Sequence, residues 1–136
     1  AGVYPWGTQW PPPEFVANYR DETFRARFGD PVTIFGDSRS IRYSQDGQAV
    51  TAPVGTYPAK ANGLFDLGGN VWEWCEDFYY GKQRQRVMKD RVLRGGSWDF
   101  YGPGFLLSSH RLLGAPDERN ASTGFRVVLD GDVSAR

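Results

Sequence analysis

Residues 51–70 read TAPVGTYPAKANGLFDLGGN, and the longest run there free of proline and glycine is four residues. Proline removes a backbone donor and blocks the preceding helical turn, while glycine leaves the backbone free to turn in either hand. A long helix or a long central strand therefore cannot cross this stretch. The same punctuation extends over the chain, with 17 glycines and 9 prolines among 136 residues. Burial has to come from side chains that cover much area each, and aromatics supply 15% of the sequence. Length suits one domain with one core. The expectation is a single irregular α+β domain over 1–136, with many turns over an aromatic core.

Charge and the rare residues narrow the chemistry. Sixteen basic residues balance sixteen acidic ones, with no basic block. Nonspecific binding to nucleic acid or to an anionic membrane surface needs clustered positive charge, so neither partner is expected. No run of about 18 apolar residues is present, so no transmembrane helix is expected. AGVYPWGTQW has neither the basic nor the apolar region of a signal peptide. Cys75 and His110 are the only residues of their types, too few for Cys/His zinc or multi-histidine iron.

Periodicity places few elements. Phe15, Tyr19, Phe24 and Phe28 are loosely helical and predict a short helix within 14–28. Residues 29–51 carry GD, DS and DG turn signals and read as loop. Alternation over Val71–Asp77 predicts a strand with Trp72 and Trp74 turned inward. Residues 83–90 are charged and read as a solvated segment. Arg91–Arg94 reads as a strand running into Gly95–Gly96, and 100–105 as a loop. The closing GFRVVL at 124–129 alternates cleanly and predicts a final strand, with Phe125, Val127 and Leu129 on one face.

Four stretches in series are more specific than any of these. YPWG at 4–7, NGLFDLGGNVWEW at 62–74, RVLRGGSW at 91–98 and PDERNASTGFRVV at 116–128 resemble the formylglycine-generating-enzyme, or sulfatase-modifying factor, family. The resemblance covers about 3–129. It implies a variant of the C-type lectin fold, and an upstream helical segment that precedes YPWG in the family. The chain is accordingly expected to be the C-terminal part of a longer domain, with that missing part as one possible partner.

The resemblance also implies structural calcium. At the Gly-Gly-Asn turn, Asn70 and Glu73 would bind by side chain and Val71 by its carbonyl. A second site would use Asn18, the Tyr19 carbonyl, Asp46 and the Gln48 carbonyl. Hard oxygen ligands of this kind suit calcium. The residues alone allow another reading of the first site, in which Asn70 caps a turn and Glu73 pairs with an arginine.

Catalytic members of the family hold copper with two cysteines after the Gly-Gly-Ser. Here that stretch reads GGSWDFYGPGFLLSSHR, and the aligned positions fall around Phe100 and Phe105. Neither can ligate copper or form a thiolate. Neither copper nor formylglycine-generating activity is expected. Cys75 reads as a small buried hydrophobe.

Among non-catalytic relatives, the variable proteins of diversity-generating retroelements share the flanks at 91–98 and 124–128 and are prokaryotic. At their template-like asparagine positions this chain has Asp99, Phe100, Tyr101, Gly102, Phe105, His110, Leu112, Gly114, Ala115, Ala121 and Ser122. All are reachable from an AAC codon by changing its adenines; Glu118 is not. Aromatic side chains with small polar neighbours suit recognition loops. The leading expectation is a non-catalytic binding domain that takes a protein or other macromolecule at 99–122. Its contacts would be Trp98, Asp99, Phe100, Tyr101, Phe105, His110, Leu112 and Ser122. Phe100, Tyr101 and Phe105 read equally well as core aromatics. The alternatives are an enzyme of different chemistry using Ser97, His110, Asp99 and Asp117, or an accessory domain of a larger protein.

Overall fold

The sheet starts at the Gly-Gly-Asn turn. Gly69 (φ 80°) and Asn70 (φ 65°) both take the left-handed region and lead the chain into its first strand. A Cβ on Gly69 would lie 2.3 Å from the Asn18 carbonyl, so only glycine fits there. The computed structural model describes residues 2–29, 41, 45–80 and 86–128, with backbone alone at 86–88.

Strand β1 (Trp72–Tyr80) pairs antiparallel with β2 (Arg86–Arg94), with register shifts between Trp74 and Phe78 and again before Tyr80. β3 (Leu112–Gly114) pairs antiparallel with the other edge of β2, and β4 (Thr123–Gly124) runs parallel to β1. The order is β3-β2-β1-β4. Trp72 turns inward as predicted and is 1% exposed. Trp74 is half-buried because β3 offers it Gly114, where a Cβ would stand 2.7 Å from the indole ring.

Helix α1 (Glu22–Phe28) lies within the predicted range but is shorter. Its start is set by Asp21, whose Oδ1 accepts from the Thr23 amide (2.7 Å) and the Phe24 amide (3.2 Å). Glu22 in the first turn and Arg25 and Arg27 in the last complement the helix dipole. Phe15, read as part of the helical face, sits instead in a turn with φ 57°. Most of the 29–51 segment, 30–40 and 42–44, lies outside the described residues.

One expectation needs correction and another gains detail. The segment at 83–90, read as charged and solvated, contains the start of β2, which begins at Arg86 and pairs back to Tyr80, with Lys89 exposed. Exposed strands can be charged when only one face is covered, and this hid the strand from the pattern. The final strand is also far shorter than 124–129. It ends at Gly124, leaving Phe125 (77%), Val127 (89%) and Val128 (82%) exposed. The irregularity after Trp74 bends β1, and a bent neighbour cannot carry a straight parallel ladder further. Leu129 lies outside the described residues.

The core does not sit on the sheet alone. Tyr4, Ala17, Tyr19, Ile41 and Leu106 form its buried cluster, with Trp6, Phe100 and Tyr101 packed against it. The N-terminal aromatics and the 97–107 loop thus close on each other across the Asn18–Asp21 segment. The Arg20 amide donates to the Phe100 carbonyl (3.0 Å) and helps fix that closure.

Candidate metal centre and binding face

The segment Asn18–Asp21 is almost wholly buried, and it brings together residues distant in sequence. Asp46 accepts from the Tyr19 amide (3.0 Å) through Oδ2 and from the Gln48 amide (2.8 Å) through Oδ1. The Asp46 amide in turn donates to Asp21 (2.6 Å). Asp46 thus ties Tyr19 to Gln48, with Asn18 next to Tyr19 in the chain. Asn18 donates to the Val50 carbonyl (2.7 Å) and to Asn70 (3.3 Å), while its buried Oδ1 has no hydrogen-bond partner among the described residues. Asp46 is 3% exposed and Asp21 1%. Burial, with Asp21 beside it, pushes the Asp46 carboxyl up to about 6, and burial raises Asp21 as well. The buried Asp46 and Asp21 carboxyls and the Asn18 amide oxygen are hard oxygen donors of the kind a divalent cation takes.

The Gly-Gly-Asn turn is arranged differently. Asn70 Oδ1 accepts from the Ala52 amide (2.9 Å), and Asn70 Nδ2 donates back to the Ala52 carbonyl (3.2 Å). Glu73 lies on β1 and forms a two-point ion pair with Arg126, whose Nε is 2.6 Å from Oε2. Asn70 and Glu73 do not point their side chains at a shared free position. Val71 is half-buried at the strand entrance, beside both. The pairing alternative stated for these residues describes the observed contacts.

In the Ser97–Ser122 region the structure forms two groups. Trp72, Phe100, Phe105 and His110 make a closed cycle of rings. Successive centroids are 5.1 Å (Trp72–Phe100), 5.7 Å (Phe100–Phe105), 5.5 Å (Phe105–His110) and 5.8 Å (His110–Trp72). These are ordinary aromatic packing distances and leave no gap between neighbouring rings. Elsewhere, Trp98 packs near Phe24 (5.8 Å) and its Nε1 donates to the Ala121 carbonyl (3.3 Å). Tyr101 lies under the Arg20 guanidinium at 5.0 Å. Leu112 is half-buried in β3, and the Ser122 carbonyl accepts from the Trp72 amide (2.7 Å). Phe105 is the most open of the named aromatics, at 39%.

Of the residues of the enzyme alternative, the structure joins Ser97 and Asp99 by a hydrogen bond. Ser97 is fully buried and donates to Asp99. His110 Nε2 has no hydrogen-bond partner among the described residues, and Asp117 is exposed. A nucleophile–base hydrogen bond is the minimum such chemistry requires. Burial and the nearby Arg94 lower the His110 pKa. Cys75 is half-buried, and burial raises its thiol, which disfavours the thiolate.

Sequence reasoning missed Asp21, Asp66 and Arg126. Asp21 precedes a run of helix formers and could have been read as a cap. The other two meet the turn only through folding, and nothing local marks them.

With this geometry in hand, the comparisons with known proteins fall into place. Residues 1–131 match the sulfatase-modifying factor enzyme 1-like domain. The chain belongs to that family. It is 30% identical to a formylglycine-generating enzyme of Streptomyces coelicolor over 97% of the chain and 42% of that protein. It is 33% identical to the inactive C-alpha-formylglycine-generating enzyme 2 of Mus musculus over 93% of the chain and 36% of that protein. PvdO from Pseudomonas aeruginosa superposes with a TM-score of 0.58 at 25% identity, over 92% of the chain and 44% of PvdO. The α+β fold is thus of the formylglycine-generating-enzyme type, and the chain spans less than half the length of these relatives. The family includes inactive members. Among the described residues, no helix is long and apolar enough to cross a membrane.

Proposed function

We propose that this domain is a non-catalytic, ligand-binding member of the family, stabilised by one structural calcium ion. The observation that carries the reading is the contact between Phe100 and Phe105, at the positions where catalytic relatives have copper-binding cysteines. Two packed phenyl rings offer no soft ligand, and the donor set does not fit copper. The cycle through Trp72 and His110 turns the same region into a rigid platform, on a scaffold of the C-type-lectin kind. Its neighbours Trp98, Asp99, Tyr101, Leu112 and Ser122 would supply contacts to a protein or other macromolecule. Rigid aromatic anchors give contact area at low entropic cost.

Calcium would be held by the side chains of Asn18 and Asp46 and the carbonyls of Tyr19 and Gln48. It would supply charge neutralisation where burial has desolvated two carboxyls, and so tie 18–21 to 46–48 beneath the binding loops.

The test is a copper(I) titration against a chromogenic chelator, with a Phe100→Cys/Phe105→Cys variant as the control that restores the two ligands. The reading expects no stoichiometric copper on the natural protein. Tight one-to-one copper would overturn it.

Retroelement diversification is the finer form of this reading, supported by the adenine-reachable residue types at 99–122. It needs two exceptions in that set. Gly114 lies against Trp74, and Gly102 has φ 93°, so neither position tolerates free substitution. Sequencing of near-identical genomic copies should show variation confined to 99–122 that spares these two. Variation spread evenly over the surface would exclude it.

A further inference from the structure

Asp66, Glu73 and Arg126 line one recess of 310 Å³, together with Gly69–Val71 and the apolar residues Leu64, Phe65 and Phe125. Oxygen atoms converge here from three places. Glu73 brings its carboxylate from β1, and the chain before the Gly-Gly-Asn turn brings the carbonyls of Phe65 and Asp66. A carboxylate with two carbonyls is a start on what a hard divalent ion requires.

Arg126 already engages all of them. Its Nε and one terminal nitrogen bind the two oxygens of Glu73; the other terminal nitrogen donates to the Phe65 carbonyl (3.1 Å). The nitrogen shared with Glu73 also reaches the Asp66 carbonyl (3.1 Å). A guanidinium fork suits this arrangement because its donors lie in one plane at fixed angles. Asn70 does not add a free ligand, since its amide is closed on Ala52. The hydrogen bond to Glu73, with the charges of Glu73 and Asp66, holds Arg126 in its charged form against the cost of burial.

We propose that Arg126 is the built-in cation of the 65–73 turn, bridging Glu73 to the Phe65 and Asp66 carbonyls where a bound metal would otherwise bridge them. The turn is then independent of calcium, although its sequence resembles a calcium site. One acceptor is left over: Asp66 Oδ1 is buried without a hydrogen-bond partner among the described residues, while Oδ2 takes the Gly55 amide (2.9 Å).

The experiment counts calcium per chain by native mass spectrometry and follows melting in calcium and in chelator. The proteins are the natural chain, Glu73→Gln, Asp66→Asn, Arg126→Gln and Arg126→Lys. Glu73→Gln and Asp66→Asn are expected to keep the natural calcium count and the natural difference between calcium and chelator melts. Arg126→Gln frees Glu73 and the two carbonyls, and should gain a calcium-dependent rise in melting temperature of several degrees that the natural protein lacks at this turn. Arg126→Lys keeps the charge and should show no such gain. Loss of one calcium per chain in Glu73→Gln or Asp66→Asn would overturn the proposal, as would an Arg126→Gln protein that folds but gains nothing. If Arg126→Gln does not fold, the Glu73→Gln count still decides. The outcome is separate from the Asn18/Asp46 site: a natural protein that binds no calcium refutes that site and leaves Arg126 as proposed.

Discussion

Two turns in this domain carry the same local cue, an asparagine followed by an acid, and they resolve it in opposite ways. At Asn18–Asp21 and Asp46–Gln48, two buried carboxyls accept from backbone amides, and the Asn18 amide oxygen has no partner among the described residues. At Asn70–Glu73, the amide is closed on Ala52 and the carboxylate is matched by Arg126. Sequence type does not separate the two. What separates them is how each acid is met: by backbone amides in the first region, by an arginine in the second.

The largest effect should come from removing the countercharge. Arg126→Met leaves Glu73 and two carbonyls without donors, and should destabilise the domain by about 2–4 kcal/mol in chelator. A thermal melt checks this; a loss no larger than an ordinary surface substitution would erase the contrast between the turns. Next is the ion itself. At calcium about 100-fold above its Kd, the natural protein should gain about 2.7 kcal/mol over the chelated form, and Asp46→Asn should lose that gain. Calcium-dependent melting that survives in Asp46→Asn would move the ion elsewhere.

The next largest effect lies in the packing of β3 against β1 and β2. Gly114→Ala drives a methyl to within 2.7 Å of Trp74, with Leu93 at 3.0 Å. Overpacking of this kind costs about 1–3 kcal/mol. A neutral result by denaturant titration would show that β3 yields, and would remove the exception made for Gly114 in the diversification reading.

The smallest effect is a pH dependence at His110. Its folded pKa is lowered from 6.5 by burial and by Arg94, so the folded state takes up its proton later than the unfolded state. Its contribution is full above about 6.5 and is lost as pH falls through the lowered folded value. The difference in stability between the natural protein and His110→Phe should therefore grow against the natural protein as pH drops below about 6.5. A difference flat from neutral to mildly acidic pH would place His110 in water rather than in the ring cycle.

Much of the framework could be read from the chain because the determinants are local. Trp72 and its alternating neighbours gave β1, and the glycines beside Asn70 gave the turn before it. The series of motifs gave the family. The final strand was misread because alternation at Phe125–Val128 has the period of a strand whether or not a covering layer exists. β3 is only three residues long, too short for any pattern to register. The candidate site was legible in part. Asn18 and Asp46 were named from the resemblance, but Asp21 joins them through a hydrogen bond spanning 25 residues. Arg126 reaches Glu73 across 53 residues, and no local rule connects the two.

The most direct measurement is the number of calcium ions per chain, by native mass spectrometry, in the natural protein and in Asp46→Asn. The account predicts one ion in the first and none in the second, with Glu73→Gln matching the natural protein. Two ions in the natural protein, or a single ion lost in Glu73→Gln and kept in Asp46→Asn, would contradict it.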